Sequence, residues 1–200
     1  MLCHRPALVA LLQDVVDGGA SVGFLPPLGP DEAAGYWDGV GAAVRGGGRR
    51  LWIARGAGDG ITGAVQLDLA GQANGRHRAE LIKLMVANAA RRQGIGRALM
   101  EAAEAEALRL GRTTLVLDTR QGDPSEALYR GMGWQPAGAI PRYARSADGT
   151  PHTTAFYYKL LDPLTMPSPS VGERGQRRER PATKGLPVRR GRRRSAATRR

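Results

Sequence analysis

The chain has 200 residues and 42% hydrophobic content, enough for one soluble domain with extensions. Its formal charge of +12 is uneven, because residues 163–200 hold 12 of the 30 Lys+Arg and 2 of the 18 Asp+Glu, which leaves residues 1–162 at a net of +2. That near-neutral body argues against a folded nucleic-acid binder, the lone Cys3 excludes an intrachain disulfide and a Cys-rich zinc site, and no stretch approaches the length of a membrane span. His4, His77 and His152 lie far apart without metal-ligand spacing, so no metal is expected, and the cysteine usage fits a cytoplasmic location.

Leu8, Leu11, Leu12 and Val15 repeat at helical spacing, and Gln13 and Asp14 interrupt the apolar run, so the N-terminus reads as an amphipathic helix and not a secretory signal. Residues 18–29 are loop-like, broken by Pro26 and Pro27. Pro30, Asp31 and Glu32 open a second helix over 30–44, with proline early and acids at its positive end. Gly35, Gly39 and Gly41 weaken it, each by about 0.8–1 kcal/mol against alanine. Residues 50–55 and 61–69 read as a hairpin. Gly58, Gly60 and Gly63 fit G-x-G-x-x-G, but they precede a strand instead of opening a helix and so read as the hairpin's turn.

Residues 79–86 are largely apolar, with Glu80 and Lys83 as the polar exceptions, as in a strand covered on both faces. The chain then turns through Arg91-Arg92-Gln93-Gly94-Ile95-Gly96 into a long helix ending at Gly111, in which Leu99, Ala102, Ala103, Ala107 and Leu110 share helical spacing. The first turn of a helix carries backbone N–H groups with no intrahelical partner and the positive end of the dipole, so a diphosphate is stabilised there. Gly94 and Gly96 lack the Cβ that would hold an anion away, and Arg91, Arg92 and Arg97 add charge at the rim. A Walker loop would need Lys-Ser or Lys-Thr where Arg97-Ala98 stands, and a Rossmann turn would need glycine in place of Leu99. Beyond the helix, 113–119 alternates as a buried strand, Gly122-Asp123-Pro124-Ser125 breaks the chain and caps a short helix to Met132, 134–143 is a strand interrupted by Pro141, and 153–160 is the last strand.

The pattern Arg91-x-x-Gly94-x-Gly96 resembles the acetyl-CoA loop of the GNAT superfamily of acyl-CoA N-acyltransferases. Glu80 upstream supports the likeness, and Glu126-Ala127-Leu128-Tyr129-Arg130-Gly131-Met132-Gly133-Trp134 downstream is similar to that family's A-x-x-L-Y-x-x-x-G-F segment. The resemblance covers about residues 8–160, and 78–159 looks like the tabtoxin-resistance subgroup. It implies a mixed α/β fold (α+β) with a GNAT-like central, mostly antiparallel mixed sheet and helices on both faces, forming an N-acetyltransferase domain over 1–162. It also implies a strand before the first helix, for which few residues are available, so that strand is expected to be truncated or the true start to lie upstream.

By the same resemblance acetyl-CoA is the cosubstrate. Its pyrophosphate is expected on Arg91, Arg92, Gln93, Gly94, Ile95, Gly96, Arg97 and Ala98, and its pantetheine along Leu84, Met85 and Val86, held by main-chain bonds. Tyr129 stands where many relatives have a tyrosine near the sulfur, able to protonate the departing thiolate, and a core aromatic is its alternative role. Glu80, 14 residues before Gly94, takes the offset of the base glutamate in histone-acetylating members. A glutamate paired with Arg78 or simply hydrated is the other reading, and Asp118 is a second candidate base. Where relatives often carry Asn before the short helix, Gly122-Asp123 occurs here, so any cofactor contact of that Asn is not carried over.

The expected activity is direct acetyl transfer from acetyl-CoA to a primary amine of a small molecule such as an antibiotic, toxin or metabolite. Acetylation of protein N-termini or lysines is the alternative within enzymes, and a non-catalytic acyl-CoA-binding regulatory module is the alternative outside them. A small-molecule amine is the expected partner, a homodimer stays open, and no membrane partner is expected. Residues 163–200, rich in Arg, Pro, Gly and Ser, are expected to be disordered, and they read either as an extension without function or as a weak, non-specific nucleic-acid contact.

Overall fold

The computed structural model describes residues 4–56 and 60–162, and the arginine-rich tail expected over 163–200 lies outside them. Helices α1 (Arg5–Asp17) and α2 (Pro30–Arg45) come first, followed by the antiparallel strands β1 (Arg49–Arg55) and β2 (Ile61–Leu69). Next are β3 (Arg78–Val86), α3 (Ile95–Arg109), β4 (Thr114–Arg120), α4 (Ser125–Gly131), β5 (Gln135–Arg145) and β6 (Pro151–Leu160). The strands form one sheet in the order β1-β2-β3-β4-β6-β5, antiparallel except where β3 meets β4. The expected mixed, mostly antiparallel sheet with helices on both faces is therefore what forms. Among the described residues no helix is long and apolar enough to cross a membrane.

Alternation along the strands sorts the core into two layers, because successive side chains leave opposite faces of a sheet. Val65, Leu67, Leu81, Leu115 and Leu117 pack with Leu99, Met100, Ala103 and Ala107 of α3. Ala64 and Met85, on the other face, pack with Leu8, Leu12 and Val15 of α1 and with Trp37 and Val40 of α2. The three glycines of α2 do not break it. Trp37 is only 1% exposed, and burying such a side chain outweighs the propensity of a few glycines. β5 ran longer than the sequence suggested, because a register shift between Ile140 and Ala144 absorbs Pro141 while Arg142 takes a positive φ of 55°. The residues between β1 and β2 at 57–59 lie outside the description, but the antiparallel pairing of Arg49 with Asp68 through Ala54 with Gly63 bears out the hairpin.

One buried ion pair ties α3 to the far side of the sheet. Glu104, only 3% exposed, accepts hydrogen bonds from Trp134 Nε1 at 2.8 Å and from Lys159 Nζ at 2.6 Å, and Lys159 also donates to the Met132 carbonyl at 2.7 Å. The helix that begins at the glycine turn is thereby held against β6 and the end of α4. Removing one member of a buried pair leaves the other charge uncompensated, which costs about 3–5 kcal/mol. Glu104→Ala is accordingly expected to lower the unfolding free energy from urea titration by that amount, read as a lower midpoint at an unchanged m-value, and a loss under 1 kcal/mol would show that the pair does not hold the helix.

Candidate functional site

The parallel neighbours β3 and β4 pair only through Arg78 with Thr114, Ala79 with Leu115 and Glu80 with Val116. Residues 81–86 and 117–120 then run on without pairing to each other, so the sheet opens into a wedge. The opening follows from an irregularity on the opposite edge of β3. Gln66 of β2 faces Ile82, but Ala64 faces Met85, so the single residue Val65 spans both Lys83 and Leu84. Lys83 takes φ 53°, a left-handed backbone in a strand, and the bulge bends β3 away from β4.

The N-terminus of α3 closes one side of the wedge. Gly94 caps the helix at φ +80°, a conformation that costs a residue with a Cβ about 1–2 kcal/mol, and open space surrounds the point where that Cβ would sit. Arg92 is also left-handed at φ 63°. The first intrahelical bond runs from Ala98 N–H to the Gly94 carbonyl at 3.0 Å, so the N–H groups of Ile95, Gly96 and Arg97 precede the ladder and are free for a ligand. Arg91 and Arg92 are exposed and make no ion pair among the described residues, and Arg97 reaches Glu101 only at 3.8 Å.

These elements surround a cleft of about 650 Å³. Leu84, Met85 and Val86 line it from β3, and Arg91, Arg92, Gly94, Ile95, Gly96 and Arg97 line it from the turn and helix. Gln93 and Ala98 belong to the same turn but are not among its lining residues. Tyr129 does both things anticipated for it. It borders the cleft, and it packs at 6% exposure against Trp134 and Tyr157, with centroids at 6.4 and 6.0 Å. Burial pushes its hydroxyl up to about 12, partly offset by the Ser125 hydroxyl, which is itself 2.9 Å from Thr119 Oγ1. Asp123 lines the cleft too, and its Oδ1 accepts the Ser125 N–H at 2.8 Å, so it is engaged in shaping the start of α4.

Glu80 is not among the cleft-lining residues, whereas Asp118 is. Glu80 stands on the last paired rung with its side chain exposed. Its carboxyl is pushed above the usual carboxylate range, first by desolvation and then by the charges of Asp118 and Asp68. Beside it lies a polar chain on the α2 face. Gln66, fully buried, donates to Tyr36 Oη at 2.7 Å and accepts from Arg49 at 3.2 Å, and Arg49 donates to Asp68 at 3.0 Å. Sequence reading did not single out the bulge at Lys83, nor a second device that fixes the mouth of the cleft. Asn88 N–H donates to Asp14 Oδ2 at 2.7 Å, and Asn88 Nδ2 donates to the Asp14 carbonyl at 2.8 Å. This clamps the end of α1, and with it the loop 18–23 that lines the cleft, to the turn after β3. Two polar residues, one in the last turns of α1 and one just after β3, were the only hint of it.

The Acetyltransferase (GNAT) family profile matches residues 18–134, more than half of the chain. The chain belongs to that family. Solved structures carry the GNAT fold across nearly its whole described length. The ribosomal-protein-alanine N-acetyltransferase of Brucella melitensis is 23% identical at a TM-score of 0.70, covering 80% of this chain and 96% of that one. An N-acetyltransferase from Staphylococcus aureus Mu50 is 18% identical at 0.70, covering 81% and 95%. The protein yncA of Salmonella typhimurium, solved with its cofactor acetyl-CoA, is 19% identical at 0.66, covering 83% and 93%. At these identities the likeness fixes the fold.

The GNAT wedge of this chain suits a ligand with an anionic end and an amide-bearing arm. Free N–H groups and a left-handed glycine meet the anion, and the unpaired edge of β3 offers main-chain donors and acceptors to an extended chain. Gly94→Val forces a branched side chain into the left-handed region and beside the anion. Because the side chain stands where the anion approaches, calorimetry is expected to show acetyl-CoA binding weakened about tenfold or more, roughly 1.4 kcal/mol. Unchanged affinity would remove the helix N-terminus from the binding site.

Proposed function

We propose that this GNAT protein transfers the acetyl group of acetyl-CoA directly to a primary amine of a small molecule. The observation that carries this reading is the wedge between β3 and β4 opening beside the N-terminus of α3, with one continuous cleft joining the two. Residues 78–159 favour a place near the tabtoxin-resistance acetyltransferases, and residues 1–162 are read as the catalytic domain, acting in the cytoplasm. Acetyl-CoA supplies a thioester whose carbonyl carbon forms a bond to the amine nitrogen as its bond to sulfur breaks.

The rest is done by the chain. The turn from Arg91 to Ala98 holds the pyrophosphate through backbone N–H groups, with the arginines at its rim and Gln93 at its surface. Leu84, Met85 and Val86 hold the pantetheine along the free edge of β3. A backbone N–H beyond the bulge at Lys83 faces the opening and offsets the charge that gathers on the carbonyl oxygen.

An alkyl amine is mostly protonated near pH 7 and must lose a proton to attack. Asp118 borders the cleft and receives the ammonium, and Glu80, which stands outside the cleft wall and whose proton affinity is raised by desolvation and by the charge of Asp118, takes the proton by way of that carboxylate. At the other end Tyr129 is kept protonated by burial. Full transfer from a hydroxyl at about 12 to a thiol of ordinary pKa about 8.5 runs uphill by roughly 5 kcal/mol. Tyr129 therefore acts first as a hydrogen-bond donor to the sulfur as charge builds, and the proton follows as the thiolate leaves.

Tyr129→Phe is expected to lower kcat on the order of 10²-fold while calorimetric acetyl-CoA affinity stays put. Retained turnover would reduce Tyr129 to a packing residue. The second expectation concerns pH. A base must be deprotonated to act, so the acid limb of kcat/KM should fall as pH drops through the raised value of Glu80, above the ordinary carboxylate range. Glu80→Gln should abolish that limb along with most of the activity. Because folding raises the affinity of Glu80 for its proton, its contribution to stability is present at acid pH and lost as pH rises through the folded value. The glutamine variant should accordingly be no less stable than the parent at pH 7. A profile unchanged in Glu80→Gln transfers the role of base to Asp118.

A further inference from the structure

Lys83 is the one feature of β3 that neither the pyrophosphate site nor the proton path uses. Its left-handed backbone lifts the side chain out of the strand's alternation and across to the loop after α1. There Nζ stands 5.9 Å from the centroid of the Phe24 ring and in the space that a side chain on Gly23 would fill, 2.8 Å from the position of such a Cβ. Burial pushes its ammonium below the ordinary lysine value. It makes no hydrogen bond or ion pair among the described residues, nor does Asp118, which lines the same cleft. Charges of opposite sign thus face one cleft without meeting.

A half-buried ammonium without a hydrogen-bonded anion is costly, and a bound anion relieves that cost. Coenzyme A cannot be that anion when its phosphates sit at the N-terminus of α3, because α3 packs on one face of the sheet while Phe24 and α1 belong to the opposite face. The anion must arrive with the acceptor. Asp118, past the last paired rung of β4, offers the complementary charge for the amine itself.

We propose that the acceptor is a zwitterionic amine, an amino acid or a compound of that type, whose acid group is bound by Lys83 in its bulge on β3 and whose ammonium is received by Asp118. The proposal rests on the N-acetyltransferase reading and narrows its substrate class. A peptide N-terminus has an amide where the acid group should be. It satisfies only Asp118 and leaves the half-buried Lys83 ammonium without a hydrogen-bonded anion, helped only at a distance by the charges of Asp118 and Glu80.

The test measures thiol release from acetyl-CoA by the full chain with matched pairs. One member is an α-, β- or γ-amino acid or an aminophosphonic acid, and the other is its neutral amide or ester. Short peptides present free N-termini in parallel. At least one zwitterion is expected to exceed its neutral partner by tenfold or more in kcat/KM. Lys83→Met should bring that ratio close to one, mainly through KM for the acid, and Lys83→Arg should restore a large part of it. Circular dichroism and acetyl-CoA calorimetry on each variant report whether it is folded and cofactor-competent. Equal or better rates with neutral amines or peptides overturn the proposal, as does a Lys83→Met variant that slows both members of a pair alike. Acetyl-CoA binding with no thiol release from any zwitterion overturns it too. A parent protein that fails to bind acetyl-CoA at all overturns the underlying reading as well, and calorimetry distinguishes that failure from the others.

Discussion

The site depends on a limit to strand pairing. β3 and β4 are neighbours for three rungs, and a parallel pair can be opened only if one strand bends, because their hydrogen bonds otherwise repeat along the whole length. The bend is set by the extra residue in β3 opposite Val65. Unpaired N–H and C=O groups along residues 81–86 would be a liability inside a sheet. They are tolerable here because they border a cleft that water or a ligand can fill. The same opening places the first turn of α3 against the cleft, so one backbone irregularity supplies both the extended edge and the anion-binding end.

Around that opening the chain spends its buried polar groups on rigidity. Glu104 is bound by Trp134 and Lys159. Glu126 at the start of α4 takes the Tyr157 hydroxyl, the Gly122 N–H at 2.5 Å and Arg130 at 2.7 Å, and its carboxyl is held below the usual carboxylate range by the bond from Tyr157. These contacts lie behind the cleft and hold α3, α4 and β6 together. Among the groups that face the cleft, Lys83, Asp118, Arg91 and Arg92 make no hydrogen bond or ion pair among the described residues. That division, with satisfied charges behind and unsatisfied charges in front, marks which side of the molecule meets a ligand.

Much of this was legible from the residues. The helical spacing of Leu8, Leu11, Leu12 and Val15 reported α1 because that face is buried, and the alternation through Leu115 and Leu117 reported β4 for the same reason. Gly94 announced a helix start because few other residues accept its backbone angle. What escaped notice depends on partners far away in sequence. Lys83 read as a polar exception in an apolar strand, since a bulge is defined by the register of the neighbouring strand and not by the residue that occupies it. The Asp14–Asn88 clamp spans 74 residues, and one polar residue near the end of a helix and one in a turn carry no signal of mutual contact. The exclusion of Glu80 from the cleft wall follows likewise from where pairing stops, since its own rung is the last.

The bulge also shifts the phase of β3. Before it, Ala79 and Leu81 face α3. After it Leu84 does so, while Met85 turns toward α1. One strand therefore carries two independent odd-even codes that meet at Lys83, one written for the packed sheet and the other for the walls of the opening. Changing the length of β3 by one residue on either side of that junction would scramble a single code and leave the other readable, which lets the rim of the opening diversify while the scaffold beneath it keeps its shape.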